Sequence, residues 1–278
     1  MSELPIHTAT RYLQPLREGG SLPAVVDTDS GGLFVVKFRG AGQGAKALVA
    51  ELIVGMLARA LGLPIPTMAL IDIPASFGRS EPDSEIQDVL RSSHGINVGL
   101  RYLDGAFNYD NSAAGELITS EFATRVVWLD AYTTNPDRTH RNPNVLIWER
   151  RPWLIDHGAA LYAHHDWPTV DEARTQTPFP RIREHVLLER SAHLDAIDAD
   201  LVTALSDECI TQVLSSVPDA LLLDPTRGEE FAFADDARAR YFDYLTRRRD
   251  GPRAFVSEAV RARTQARNTP PLRLSARR

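Results

Sequence analysis

The segment NPDRTHRNPNVLIWERRPWLIDHGAAL, residues 135–161, holds Asp137, then Asn142 five positions on, then Asp156 nineteen positions after the first aspartate. Carboxylate and amide oxygens are ligands that magnesium prefers, and phosphate oxygens complete its shell. Two apolar runs, NVLIWE and PWLID, lie between Asn142 and Asp156 and both read as β-strand. A hairpin made of them returns the chain, so the three oxygen-bearing side chains can meet. Such a cluster suits phosphoryl transfer from a nucleoside triphosphate. That reaction asks for metal ions held by oxygens, a cation on the phosphates and a group that orients the acceptor hydroxyl. The plainer alternative is an Asp/Asn turn before a hairpin, with Asp156 capping the next segment.

The cation has few candidates. Of the 31 basic residues only Lys37 and Lys46 are lysines. Lys37 lies inside LFVVKF, a strand otherwise fit for burial, where it must either snorkel to water or meet an anion. The run AKALVAELIVGMLARAL, residues 45–61, has helical periodicity and stops at Gly62 with Pro64 beyond. Glu51 is the glutamate on that helix available to Lys37. Read alone, the two favour a solvent-facing lysine and a solvated glutamate; upstream of the Asp137 cluster, they favour a pair. Gly19, Gly20 and Ser21, in REGGS between the first two strands, could present backbone N–H groups to phosphates; an ordinary hairpin turn explains them equally well.

Other motifs fail on spacing or context. RGAGQGAK lacks the G-x-x-x-x-G-K-[ST] spacing and hydroxyl of a Walker A loop. His157, His164, His165 and Asp166 follow no zinc pattern. Ser21 lacks the G-x-S-x-G elbow, and the arginines at 247–249 read as a solvated helix end.

The elements that must position these residues run from β to α. Strands are expected in residues 8–16, 24–28, 33–38, 67–73 and 96–103, with the 45–61 helix and a short helix near EIQDVL among them. A turn follows at Asp104-Gly105. A long helix is expected over residues 116–134, then the hairpin, then helices over 182–197, 198–217 and from 235 onward. Residues 164–180 are polar and Pro-punctuated, and serve either as an activation-segment equivalent or as plain loop. The expected class is α+β: a small β-rich N-lobe with one helix (residues 1–103) and a larger, mainly helical C-lobe (104–278).

Composition bounds the rest. The 278 residues are 43% hydrophobic, enough for a packed core, and the net charge of −6 offers no basic field for nucleic acid. One cysteine, Cys209, excludes a disulfide framework within the chain. No apolar run approaches the roughly 20 residues of a membrane helix, and the N-terminus lacks a secretory pattern. A soluble cytoplasmic protein is expected.

With these residues assembled, the chain resembles the HipA-like kinases, distant relatives of the HipA toxin kinase and of phosphatidylinositol kinases. LREGGSLPAVV, GGLFVVKFRGAGQGAKALVAELIVG, WLDAYTTNPDRTHRNPNVLIW and WLIDHGAALY carry the likeness, which spans residues 8–250. The resemblance implies a bilobal protein-kinase-like fold, ATP and Mg²⁺ as cofactors, and a hydroxyl acceptor on a protein Ser/Thr or a small molecule. By resemblance Asp137 is the catalytic aspartate, and Asn142 and Asp156 hold magnesium. Lys37 contacts the ATP phosphates with Glu51 as its partner, and Gly19, Gly20 and Ser21 form the nucleotide loop. Tyr102, Leu103 and Asp104 belong to the hinge beside the adenine. Two positions depart from the pattern. Thr139 stands where protein kinases carry lysine and lipid kinases histidine, leaving Arg138 or Arg141 to supply the charge, and His157 replaces the phenylalanine of Asp-Phe-Gly. These departures keep a nucleotide-binding pseudokinase, working with a regulatory protein partner, as the second reading. A small-molecule kinase ranks below it, because Asn135-Pro136 stands where His-Gly would precede the aspartate.

Overall fold

The structure, a computed structural model, describes residues 3–16, 22–42, 44–79, 81–223 and 230–268. Five strands among them close into a barrel. β1 (Ile6–Pro15) pairs antiparallel with β2 (Ala24–Thr28), and β2 with β3 (Leu33–Lys37). The barrel continues through β5 (Gly95–Arg101) to β4 (Met68–Ile73), which closes it by running parallel to β1 with Ile6 beside Leu70.

Alternation along β3 sets up the site. Successive side chains of a strand point to opposite faces. Phe34 and Val36 therefore enter the barrel interior with Ala24, Val26, Ala69 and Ile71, while Val35 and Lys37 face outward. Gly99 on β5 permits close packing inside, since a Cβ there would stand 2.7 Å from Ile71.

Helix α1 (Ala45–Ala60) is buried along nearly its whole length, from Ala45 to Ala58, as expected of a helix apolar on every side. It stops where the glycine signal places it: Gly62 adopts φ +73°, and Leu63 N–H reaches back to the Ala58 carbonyl. The short helix α2 (Ser84–Arg91) is capped by Asp83.

The long helix expected over 116–134 is shorter. Residues Asn111–Ala114 form α3, a 3-10 turn follows, and Thr119 accepts from the Phe122 N–H to start α4 (Ser120–Tyr132). The hairpin is β7 (Val145–Trp148) with β8 (Arg151–Leu154), extended by β6 (Phe107–Asn108). A short helix, α5 (Glu172–Thr175), lies within the 164–180 segment.

The α-helix expected over 182–197 is absent from residues 182–193. Pro180–Glu184 is a 3-10 turn, and His185 instead pairs with Thr139 in an isolated bridge. His185 Nε2 also donates to the Asp130 carboxylate at 2.9 Å. Those long-range bonds outweigh local helix propensity. Helices α6 (Leu194–Ala204) and α7 (Asp207–Ser215) split the expected 198–217 helix at Ser206, whose hydroxyl caps α7. α8 (Asp219–Leu222), α9 (Ala234–Asp250) and α10 (Ala254–Asn268) follow, the last two separated at Gly251-Pro252.

The arginines at 247–249 are not simply solvated. Arg248 and Arg249 are buried, and Arg248 donates to the carbonyls of Ala131, Tyr132, Thr175 and Thr177. The free carbonyls at the end of α4 need such donors. One apolar cluster runs from α1, β4 and β5 through α4 and the hairpin to α10. The class is α+β.

Candidate active site

A cleft of about 1200 Å³ opens beside the barrel, bordered by β3, the first turn of α1, the Arg101–Leu103 segment and the hairpin with its flanking loops. Lys37, Asp137, Asn142 and Asp156 all line it, as do Tyr102 and Leu103. Residues more than a hundred positions apart in the chain thus face one space.

Lys37 is buried, and its Nζ lies 2.6 Å from Glu51 Oε2 and 2.5 Å from Asp156 Oδ1. Burial alone opposes the charge, but the two carboxylates outweigh it and raise the amine above its ordinary pKa. Asp156 is correspondingly lowered, chiefly by the Lys37 charge. Glu51 stands behind the lysine, fully enclosed, and its Oε2 also accepts the His157 N–H at 2.7 Å. One carboxylate oxygen therefore ties the lysine strand to the residue after Asp156.

Asp137 sits in a loop turned by its own side chains. Asn135 Oδ1 accepts the Asp137 N–H, and the Thr139 N–H donates to the Asn142 carbonyl. Asp137 Oδ2 accepts from Asn142 Nδ2 at 2.8 Å and from Asn144 Nδ2 at 3.3 Å. Asn144 was not singled out in the sequence; it adopts φ +48°, a left-handed conformation that asparagine tolerates.

Arg138 and Arg141 differ in burial. Arg138 is 1% exposed and its Nε pairs with Asp130 Oδ2 at 2.6 Å. Arg141 is exposed and lines the cleft. Burial would raise Asp130, but Arg138 and His185 overcome it and hold that carboxyl below its usual range. His157 is pushed down to about 4 by burial, so its neutral ring can accept at Nδ1 from Arg138 Nη2, 3.2 Å away. Asp130 and His185 also escaped the sequence reading, because nothing in the local pattern separates a buried ion pair from solvated charges.

One expected residue falls elsewhere. Asp104 is exposed in its turn and is not among the cleft residues; its carbonyl accepts from Trp148 Nε1. Gly19, Gly20 and Ser21 lie outside the described residues, although Leu16 and Pro23 on either side border the cleft. His164 bonds Tyr241 OH and its neighbour His165, and among the described residues no group of three or more His, Cys, Asp or Glu converges to hold a metal.

The sequence model of the HipA-like kinase family matches residues 10–223, a stretch that contains every residue of the cluster just described. The chain belongs to the HipA-like kinase family. Its fold agrees. The crystal structure of a Helicobacter pylori proinflammatory kinase, CtkA, is similar with a TM-score of 0.53 at 13% sequence identity, covering 95% of this chain and 99% of that one. No curated protein matches the sequence. Within this HipA-like kinase chain, the family match includes the barrel from the middle of β1 onward, with Lys37, and the loop–hairpin unit with Asp137, Asn142 and Asp156. No helix among the described residues is long and apolar enough to cross a membrane.

Proposed function

We propose that the chain is an ATP- and Mg²⁺-dependent phosphotransferase that moves the γ-phosphoryl group to a hydroxyl, first of all a protein serine or threonine, its own chain included. In this reading residues 1–103 and 104–278 act as two lobes about the cleft. The observation that carries it is one buried amine facing the cleft together with two carboxylates and an amide.

The donor set suits magnesium. Asp156 Oδ2 and Asn142 Oδ1 accept no hydrogen bond among the described residues and belong to cleft-lining side chains. These oxygens would hold the ion, which would supply positive charge against the charge that develops on the phosphates. The remaining work belongs to the chain. Lys37, held by Glu51, contacts the phosphates as a fixed positive charge. Asp137 orients the acceptor hydroxyl and takes its proton, its Oδ2 being fixed by Asn142 and Asn144. Arg141 faces the transferring group, a duty closed to Arg138. Tyr102 and Leu103 border the base, in the cleft that Leu146 and Ile155 also line.

Turnover of labelled ATP tests this. Asp156→Ala and Asp137→Ala should each lower transfer by roughly a hundredfold or more, the scale at which removing a preorganised group is felt. Chelation of magnesium should abolish it. A wild-type chain that neither binds nor turns over ATP–Mg²⁺ would end the enzyme reading. The second reading, a nucleotide-binding pseudokinase, draws on Thr139 and on Arg138 being committed to Asp130. Magnesium-dependent ATP binding without transfer across a broad acceptor screen would favour it.

A further inference from the structure

We infer that Arg138 is a positioning residue that sets the separation of the two aspartates, resting on the reading of Asp137 and Asp156 just given. Its guanidinium makes four contacts, three of them fully buried. Nε pairs with Asp130 Oδ2 at 2.6 Å, and Nη1 donates to the carbonyl of Asn144 and, at 3.3 Å, to that of Ile155. Nη2 donates to His157 Nδ1 at 3.2 Å. Ile155 and His157 are the residues immediately before and after Asp156. Arg138 itself immediately follows Asp137.

This arrangement answers a need of the backbone. Asp156 has φ +56°, in the left-handed region that is unfavourable for a non-glycine residue. Such a residue stays there only if its surroundings hold it. Arg138 holds both neighbours of Asp156, and Glu51 adds the bond to the His157 N–H. The Asn144 carbonyl that receives Nη1 also accepts the Ile155 N–H at 3.1 Å, while the Asn144 side chain reaches Asp137 Oδ2 at 3.3 Å. One rigid planar fork thus spans the loop of one aspartate and the strand end of the other. Asp130 holds the fork from behind and is itself held by Asn135 and His185. A lysine could keep the charge beside Asp130 but not the fork.

The test compares wild type with Arg138→Lys and His157→Phe. The latter removes only the ring acceptor and leaves the Arg138–Asp130 pair intact. Affinity for a non-hydrolysable ATP analogue is measured by equilibrium titration with and without Mg²⁺, beside kcat and KM. Supporting partners of metal-binding side chains typically count for about 10–100-fold when removed. Arg138→Lys should therefore lose roughly tenfold or more of the affinity that Mg²⁺ adds, and lower kcat, while metal-free affinity stays within about twofold. His157→Phe should show a smaller loss of the same sign. If Arg138→Lys does not fold, His157→Phe alone decides. Retention of the full Mg²⁺-dependent gain and kcat in the folded variants, with only thermal stability reduced, overturns the inference. A wild type without Mg²⁺-dependent binding instead defeats the proposed function. The positioning claim is then decided by the crystal structure of His157→Phe, which should displace the Asp156 carboxylate by about 1 Å, a misplacement large enough to cost activity. An unmoved carboxylate refutes it.

Discussion

Among individual residues, His157, buried beside Asp156, ties stability to pH. His157 titrates near 6.5 when unfolded and about 4 when folded, because burial disfavours its charged form. Between those values the unfolded chain binds more protons, so stability rises with pH across the window and is lost as pH falls through it. At about 1.4 kcal/mol per unit the loss is on the order of 3 kcal/mol. Urea unfolding in metal-free buffer at pH 7 and pH 4.5 should show that loss in wild type, and His157→Phe should flatten the slope. Asp130→Ala should be more severe. It leaves Arg138 buried without its counter-charge, which costs about 3–5 kcal/mol, readable at pH 7 by the same method. A change under 1 kcal/mol would mean that water or another carboxylate replaces Asp130.

At the level of elements, α1 carries more than Glu51. It contacts β5, α7 and α8, and Lys46 in its first turn pairs with Glu230 at 2.7 Å and with the His164 carbonyl. Gly158 lies against that same turn, where a Cβ would stand 3.3 Å from the Ala47 carbonyl oxygen. The helix is thus clamped from the barrel, the C-terminal helices and the segment after Asp156. Leu52, wholly buried, should cost about 2–5 kcal/mol when cut to alanine. Hydrogen exchange should place the α1 amides among the slowest in the chain; fast exchange there would contradict a clamped helix. The 164–180 segment is likewise held, with Arg240 donating to the Trp167 and Val170 carbonyls and Arg248 to Thr175 and Thr177.

For the molecule as a whole, the continuity of the apolar cluster from α1 to α10 argues for cooperative unfolding. All four tryptophans, Trp128, Trp148, Trp153 and Trp167, follow residue 104, whereas the barrel precedes it. Tryptophan fluorescence and the exchange protection of barrel amides should therefore be lost at the same urea concentration. Separate midpoints would mean that the barrel and the helical part are energetically independent.

Most strands, the extent of α1 and the hairpin between Asn142 and Asp156 were legible in the chain, because period-two and helical apolar patterns, glycine stops and turn residues act over a few positions. The residues with chemistry were legible too, as types and spacings. Asn144, Asp130 and His185 were not, and neither was the absence of α-helix from residues 182–193. Local sequence cannot tell a solvated charge from a buried one, nor a free histidine from one drawn across the fold to an aspartate 55 positions away. Only the folded chain, by closing the barrel against the helices and removing water between them, decides that Lys37 meets Glu51 and Asp156, that Arg138 turns inward, and that Arg141 is left facing the cleft.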